Sequence, residues 1–207
     1  MSLQNEVLNF GFNDGPQVNR GRIKAWINQA QQRIARQVEG PEFQVNYSIP
    51  IVAGQQSYAL PADFARVQDI TSPIYGFRLQ GVDIQNFDVV NYSNAVQTTP
   101  RQYTLNQQNV MFWPVPAYPD PLLMRYIAVP PTLVNDSDVP VLNPNYLDLL
   151  VNYSLNRAFA GEDDYEAAQF FQTQYKSDLQ EYASDVQNRS VDRPRIIDGT
   201  WGLRGSY

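Results

Sequence analysis

Residues 17–41 read QVNRGRIKAWINQAQQRIARQVEGP, and their spacing decides what the rest of the chain must do. Ile23, Trp26, Ile27, Ala30, Ile34 and Val38 recur three and four positions apart, which places them on one stripe of an α-helix. The other faces carry Arg20, Arg22, Lys24, Arg33 and Arg36. Asn13-Asp14-Gly15-Pro16 is a turn and helix-start signal, and Gly40-Pro41 is a stop, so a helix is predicted from about residue 17 to 38. A single apolar stripe needs partners. Two further helical patterns supply them near the other end of the chain. Asn143-Pro144 opens one, through Leu147, Leu150, Val151, Leu155, Ala158 and Phe159 to Gly161; Asp163-Asp164 opens the next, with Ala167, Phe171, Tyr175, Leu179, Tyr182 and Val186 on one side. Their short connection predicts an antiparallel pair.

Between the helices lies a Pro- and Tyr-rich stretch with strand patterns. Phe43, Val45, Tyr47 and Ile49 alternate with polar residues. Ala53 to Gln56 reads as a turn, and Arg66–Ile70, Tyr75–Leu79, Val110–Trp113 and Leu122–Val129 as strands. Asp83 caps a predicted short helix carrying Ile84, Phe87 and Val90. Proline is confined to strand ends and edges, so these strands should be short, and a small barrel or sandwich fits better than a broad parallel sheet. The fold class expected is therefore α+β: a three-helix bundle with an inserted small antiparallel β domain and an extended C-terminal tail. In residues, this is an N-terminal arm over 1–16, the bundle over 17–40 and 143–189, the β insert over 41–142, and the tail over 190–207.

Composition narrows the function. The 207 residues are 43% apolar, enough for a real core, and only 17% charged, which is low for a protein working alone. Aromatics make up 13%; they suit sheet faces and contact surfaces alike. There is no cysteine and no histidine, which removes disulfides, thiolate catalysis, serine–histidine triads and most transition-metal sites. A net charge of -6 opposes tight DNA binding by the whole chain. No apolar run approaches the roughly 20 residues that span a bilayer, and Met1 to Asn13 does not read as a secretory signal. No membrane, cofactor or metal is expected, and no enzyme activity.

Candidate chemistry is sparse. Glu162-Asp163-Asp164 could hold a cation or act as paired carboxylates, but acids also favour a helix start. Asp136 and Asp138, with Asn135 and Ser137, match only part of a calcium loop and lack the later glutamate, so they read as a solvated turn. The basic residues Arg22, Lys24, Arg33 and Arg36 could face phosphate, an acidic neighbour or solvent. Asp178, Glu181 and Asp185 of the last helix could meet them within the chain or across copies, each exposed pair contributing about 0–1 kcal/mol. The tail holds Arg193, Pro194, Arg195, Ile196, Ile197, Trp201 and Arg204, residue types that anchor interfaces, in a segment that Pro and Gly keep out of helices. It reads as a segment that orders on a partner.

Several segments, in a fixed order, resemble tailed-phage head-to-tail adaptor (connector) proteins of the podovirus type. They are Trp26-Ile27-Asn28-Gln29-Ala30-Gln31 with Ile34-Ala35, then Gly54 to Phe64, Pro100 to Tyr103, Phe112 to Pro116, Arg125-Tyr126 running to Pro130-Pro131, Asp136-Ser137-Asp138 with Pro140, and Tyr146 to Ala158. They span roughly Gln17 to Tyr182. The resemblance implies a structural virion protein at the head–tail junction, assembled in the host cytoplasm. It implies a homo-oligomeric ring of roughly twelve copies beneath the portal, joining portal protein to a tail nozzle or tail tube protein, with fibres as a further contact. Double-stranded DNA would pass through the lumen without specific binding. The helices would build the ring and its subunit interface, the β part would face the tail through residues such as Tyr75, Phe77 and Tyr118, and the C-terminal segment would dock on the portal. The competing reading is a monomeric glycan- or ligand-binding β module of a tail or surface protein, stacking its ligand on Tyr75, Tyr103, Trp113 and Tyr118. A carboxylate hydrolase using Glu162 and Asp164 is the third.

Overall fold

The computed structural model describes residues 3–8, 19–93, 97–135 and 137–190, the side chains of 89–93 and 189–190 excepted. The first long helix, α2 (Arg20–Val38), follows a short helix, α1 (Leu3–Leu8). It begins later than the periodicity predicts because Asn19 sits in extended conformation and its side chain accepts a hydrogen bond from the Arg22 N–H at 2.9 Å. Glu39, in the left-handed region (φ 55°), ends the helix. Ile23, Ile27, Ala30, Ile34 and Ala35 are buried, while Trp26 and Val38 are only partly so. From the segment expected to be an arm, α1 contributes Val7, fully buried, to the same core.

Two helices return near the C-terminus. The predicted start at Asn143-Pro144 is instead a 3-10 turn (Pro144–Tyr146), in which the Asn143 side chain accepts from the Asn145 N–H. The α-helix proper, α4, runs over Asp148–Gly161, and α5 over Tyr165–Ser190. At their connection Asp163 takes a positive φ of 61°, and Asp164 caps α5 by accepting from the Ala167 N–H at 3.1 Å. Leu149, Leu150, Leu155 and Ala158 of α4 meet the α2 stripe, and Tyr175 and Tyr182 of α5 close the cluster. Rings reinforce it: Phe159 stacks on Phe171 at 5.4 Å, and Tyr153 meets Tyr175 edge-on at 5.5 Å.

The middle region is strand-rich. The strands are β1 (Gln44–Ile49), β2 (Ser57–Ala59), β3 (Phe64–Ser72), β4 (Phe77–Arg78), β5 (Gln80–Gly81), β6 (Gln97–Thr98), β7 (Gln102–Asn106), β8 (Asn109–Trp113), β9 (Val115–Pro116) and β10 (Leu122–Ala128), with helix α3 (Ile84–Ser93) between β5 and β6. One sheet has the order β1-β10-β3-β4 and is antiparallel throughout; a second runs β2-β8-β7-β5. Both feed one apolar cluster, with Ile49, Ile70, Met124 and Tyr126 from the first and Tyr58, Val110 and Phe112 from the second. Neither closes, so of the two forms expected, barrel or sandwich, the barrel is absent. The insert is also not wholly antiparallel, because β5–β7 and the ribbon β6–β9 are parallel. The physical reason is the crossover through α3, which returns the chain beside β5 in the same direction. Asp83 caps this helix as predicted, accepting from the Gln85 N–H at 3.2 Å. The predicted strand Tyr75–Leu79 shrinks to β4, since residues 73–76 form an exposed turn with Gly76 at φ 67°. In β1 the expected alternation holds only at its end: Ile49 is buried but Val45 is 36% exposed.

Polar contacts fix how the two regions meet. Asp69, 7% exposed, accepts from Arg78 at 3.1 Å and lies 3.7 Å from Arg125, so its carboxylate is paired across three strands. Tyr126 donates to Asp63 at 2.9 Å; burial first, then that bond, pushes its phenol up to about 12. Residues 131–141, leaving β10, have no strand partner. Instead α2 holds them. Asn28 donates to the Leu133 carbonyl at 3.0 Å and accepts from the Leu133 N–H at 2.8 Å. Gln31, 1% exposed, donates to the Pro131 carbonyl at 3.2 Å and accepts from the Val141 N–H at 3.0 Å. Lys24 donates to the Val134 carbonyl at 2.6 Å. At the crossing into β1, Glu42 accepts from Tyr182 at 2.7 Å and from the Asn143 N–H at 3.4 Å. Gly40 permits this approach, since a Cβ there would stand 1.9 Å from the Tyr182 hydroxyl.

Replacing Gln31 by Leu keeps most of the volume but removes two partly buried hydrogen bonds, to the Pro131 carbonyl and from the Val141 N–H, each contributing about 0.5–1.5 kcal/mol. Urea unfolding of Gln31→Leu should therefore show a loss of roughly 1–3 kcal/mol. Gln37→Leu, at an exposed position of the same helix, should lie within about 0.5 kcal/mol of the parent.

Candidate interaction surface

The turn between β3 and β4 lifts two large side chains into solvent, Ile74 at 56% and Tyr75 at 49% exposure. The turn is short and Gly76 is left-handed, so these side chains cannot fold back onto the sheet. Tyr75 stacks on Phe77 with ring centroids 6.2 Å apart and donates its hydroxyl to Asp120 at 3.0 Å. The Arg101 guanidinium covers Phe77, 4.0 Å from the ring centroid. Tyr118, 60% exposed, lines a shallow recess together with Tyr75, Pro100 and Asp120. Tyr75, Phe77 and Tyr118, singled out from sequence, thus belong to one aromatic tip. Arg101 and Asp120 were not singled out. In the sequence Arg101 is legible only within the Pro100–Tyr103 segment of the resemblance, and Asp120 only as a residue between two prolines.

The four aromatics of the ligand-binding alternative do not gather at one recess. Tyr103 lines a separate depression with Gly81, Val82 and Ile84. Burial, then the nearby Asp69 carboxylate, raises its phenol pKa. Trp113 is partly buried at the end of β8, opposite Gln102.

The helical face is built differently from the charge pairing that the sequence allowed. Asp178 accepts from Asn152 at 2.8 Å, and Asp185 accepts from Tyr146. Both acids therefore brace α4 and the turn before it. Glu181 and Arg36 are exposed, as is Arg22, and Lys24 is partly buried beside the 131–141 segment. Arg33 lies 6.0 Å from the Tyr153 ring, which Arg157 also approaches at 5.4 Å. Of the acidic clusters, Glu162-Asp163-Asp164 is the α4–α5 connection, as the helix-start reading expects. Asp138 accepts from the Val134 and Asn135 N–H groups at 2.7 and 2.8 Å; these bonds hold its carboxyl below the ordinary range. Among the described residues no group of acids is arranged to hold a metal, and no helix is long and apolar enough to cross a membrane. Asp136 and the tail residues Arg193, Pro194, Arg195, Ile196, Ile197, Trp201 and Arg204 lie outside the described residues.

The exposed aromatic tip is a surface that offers large side chains for contact. A family model described as SU10 adaptor protein matches residues 2–197. The chain belongs to the SU10 adaptor family. The match reaches beyond the Gln17–Tyr182 span of the resembling motifs at both ends, taking in Arg193 to Ile197. No curated protein matches the chain. Membership makes this a phage adaptor structural protein, a virion component of the head–tail junction whose family is not an enzyme class. The family implies association with portal and tail components.

Because the tip is already solvated, Tyr118→Ser should change stability by no more than about 0.5 kcal/mol. Arg101→Ala uncovers Phe77 and should cost about 0.5–1 kcal/mol, measured by urea unfolding of the isolated chain.

Proposed function

We propose that the chain forms a ring of roughly twelve copies beneath the portal and links it to the tail, leaving a passage for DNA. The family match over nearly the whole chain carries this reading. In it, α2, α4 and α5 act as a three-helix bundle that builds the ring, and 41–142 serve as an inserted β domain. The aromatic tip of Tyr75, Phe77 and Tyr118 faces the tail nozzle or tube, and fibres where present. Subunits meet through faces bearing Arg22, Lys24, Arg33 and Arg36 on one side and Asp178, Glu181 and Asp185 on the other. The segment 190–207 docks on the portal through Arg193, Pro194, Arg195, Ile196, Ile197, Trp201 and Arg204, after an N-terminal arm over 1–16. A chain of net charge -6 suits a passage that DNA must leave as well as enter. Affinity arises from many modest contacts made together, so loss of one contact type is multiplied around the ring.

Deleting Val191–Tyr207 should leave the urea midpoint of the remaining chain unchanged and abolish co-sedimentation with portal protein. Normal co-sedimentation by the truncated chain would remove the tail from the docking surface. A mass measurement over a concentration series, with and without portal, should show assembly into a closed ring rather than a monomer.

A further inference from the structure

A cleft of about 180 Å³ opens between α2, α4 and α5. Arg33 and Lys176 stand exposed at its rim, and Tyr153, Asn156 and Tyr175 form its walls and floor. Tyr175 is 6% exposed, and its buried hydroxyl has no hydrogen-bond partner. A buried phenol usually finds an acceptor, so this one marks an acceptor missing among the described residues. Two of the other lining groups are engaged: Asn156 donates to the Ala168 carbonyl at 2.7 Å, and the Tyr153 hydroxyl accepts from Arg157 at 3.1 Å. A neighbouring depression adds Arg36. No carboxylate lines either recess, in a chain with 21 acids against 15 bases.

We infer that this cleft receives a carboxylate side chain from the α4–α5 connection of a second copy, held by Arg33 and Lys176 with the Tyr175 hydroxyl donating from the floor. The occupant follows from charge. The connection presents Glu162, Asp163, Asp164 and Glu166, all exposed, beside Tyr165 at 68% and Phe170 at 57% exposure. Asp163 accepts from Tyr165, and Asp164 caps α5, which leaves Glu162 and Glu166 as the inserting acids. The chain's own continuation is a poor occupant, since residues 191–207 carry three arginines against two aspartates. A DNA backbone is disfavoured as the occupant by the chain's net charge of -6. Cleft and connection are different surfaces, which is what a closing ring requires. The inference rests on the ring reading above and assigns Glu162 and Glu166, in place of Asp178 and Asp185, which are engaged within the chain, as the acids that meet Arg33.

The test is a mass measurement across concentration, with and without portal protein, on wild type, Arg33→Glu, Glu162→Arg with Glu166→Arg, the three substitutions combined, and Tyr175→Phe. Arg33→Glu and the paired glutamate reversal should each raise the half-assembly concentration about tenfold or more, with helical circular dichroism unchanged. The triple variant, whose reversed connection meets a reversed cleft, should recover most of that loss. Tyr175→Phe should leave the thermal midpoint of the free chain equal or higher, since it deletes an unpartnered buried hydroxyl, yet weaken assembly by about fivefold. Assembly of both charge reversals at wild-type concentrations overturns the inference alone, as does failure of the triple variant to recover. Loss of duplex-DNA retardation in Arg33→Glu with assembly untouched overturns it in favour of a phosphate site. A wild type that stays monomeric with and without portal removes the ring reading, and this inference with it.

Discussion

Residues 131–141 must travel from the end of a strand back to the helices with no neighbouring strand to pair their backbone. The helix α2 solves this with two amide side chains. Asn28 and Gln31 each donate and accept, so one face of the helix treats the passing segment as a sheet edge would. The rest of the architecture depends on that substitution. It fixes the exit of β10 against the helices, and it brings Leu133 and Leu142 into the apolar cluster that α2 organises. Apolar burial supplies most of the favourable free energy, but it is indifferent to register. The amides supply the register. A buried glutamine is tolerated because every one of its strong hydrogen-bonding directions toward that segment is answered.

The two regions divide the work that an adaptor must do. The helical cluster and the sheet cluster are separate cores, and Phe43 and Ile127, although next to or within the strands, belong to the helical one. The sheets can therefore end in an exposed aromatic turn without weakening the body that carries it. Tyr75 is held by the Asp120 carboxylate and the Phe77 ring, and Phe77 by the Arg101 guanidinium and the edge of the sheet core, while Tyr118 lines the same recess. Such rings are ordered before any partner arrives, which reduces the entropy lost on contact.

Much of this was legible in the sequence, for identifiable reasons. The α2 stripe, the α4–α5 pair and the Asp83 cap follow from helical spacing and capping chemistry, and each is present. Boundaries moved where a side chain intervened, as when Asn19 rather than the Gly-Pro signal opened α2. The wholly antiparallel pairing failed because strand patterns carry no information on neighbours, and α3 brings the chain back beside β5 in the same direction. The β7–β8 hairpin shows the same limit: Gln107 takes a positive φ of 53° without the usual Asn-Gly signal. Asn28 and Gln31 were visible one turn apart, yet polar residues at helical spacing ordinarily face solvent. Only the path of residues 131–141, set far along the chain, makes them a binding face. The tip could be named in part because aromatics stand out; Arg101 and Asp120 could not, because nothing local links them to Phe77 and Tyr75.

Glu42 sits where the polypeptide leaves the helices, and the same oxygen takes bonds from the point of return, Asn143, and from Tyr182 far along α5. A pull on the chain beyond residue 190 would run down α5 as tension and reach this carboxylate before it reached any strand. Both crossings would feel it together, so the β region would tilt as one rigid piece and would not peel strand by strand. Exit, return and last helix are thus tied at one knot.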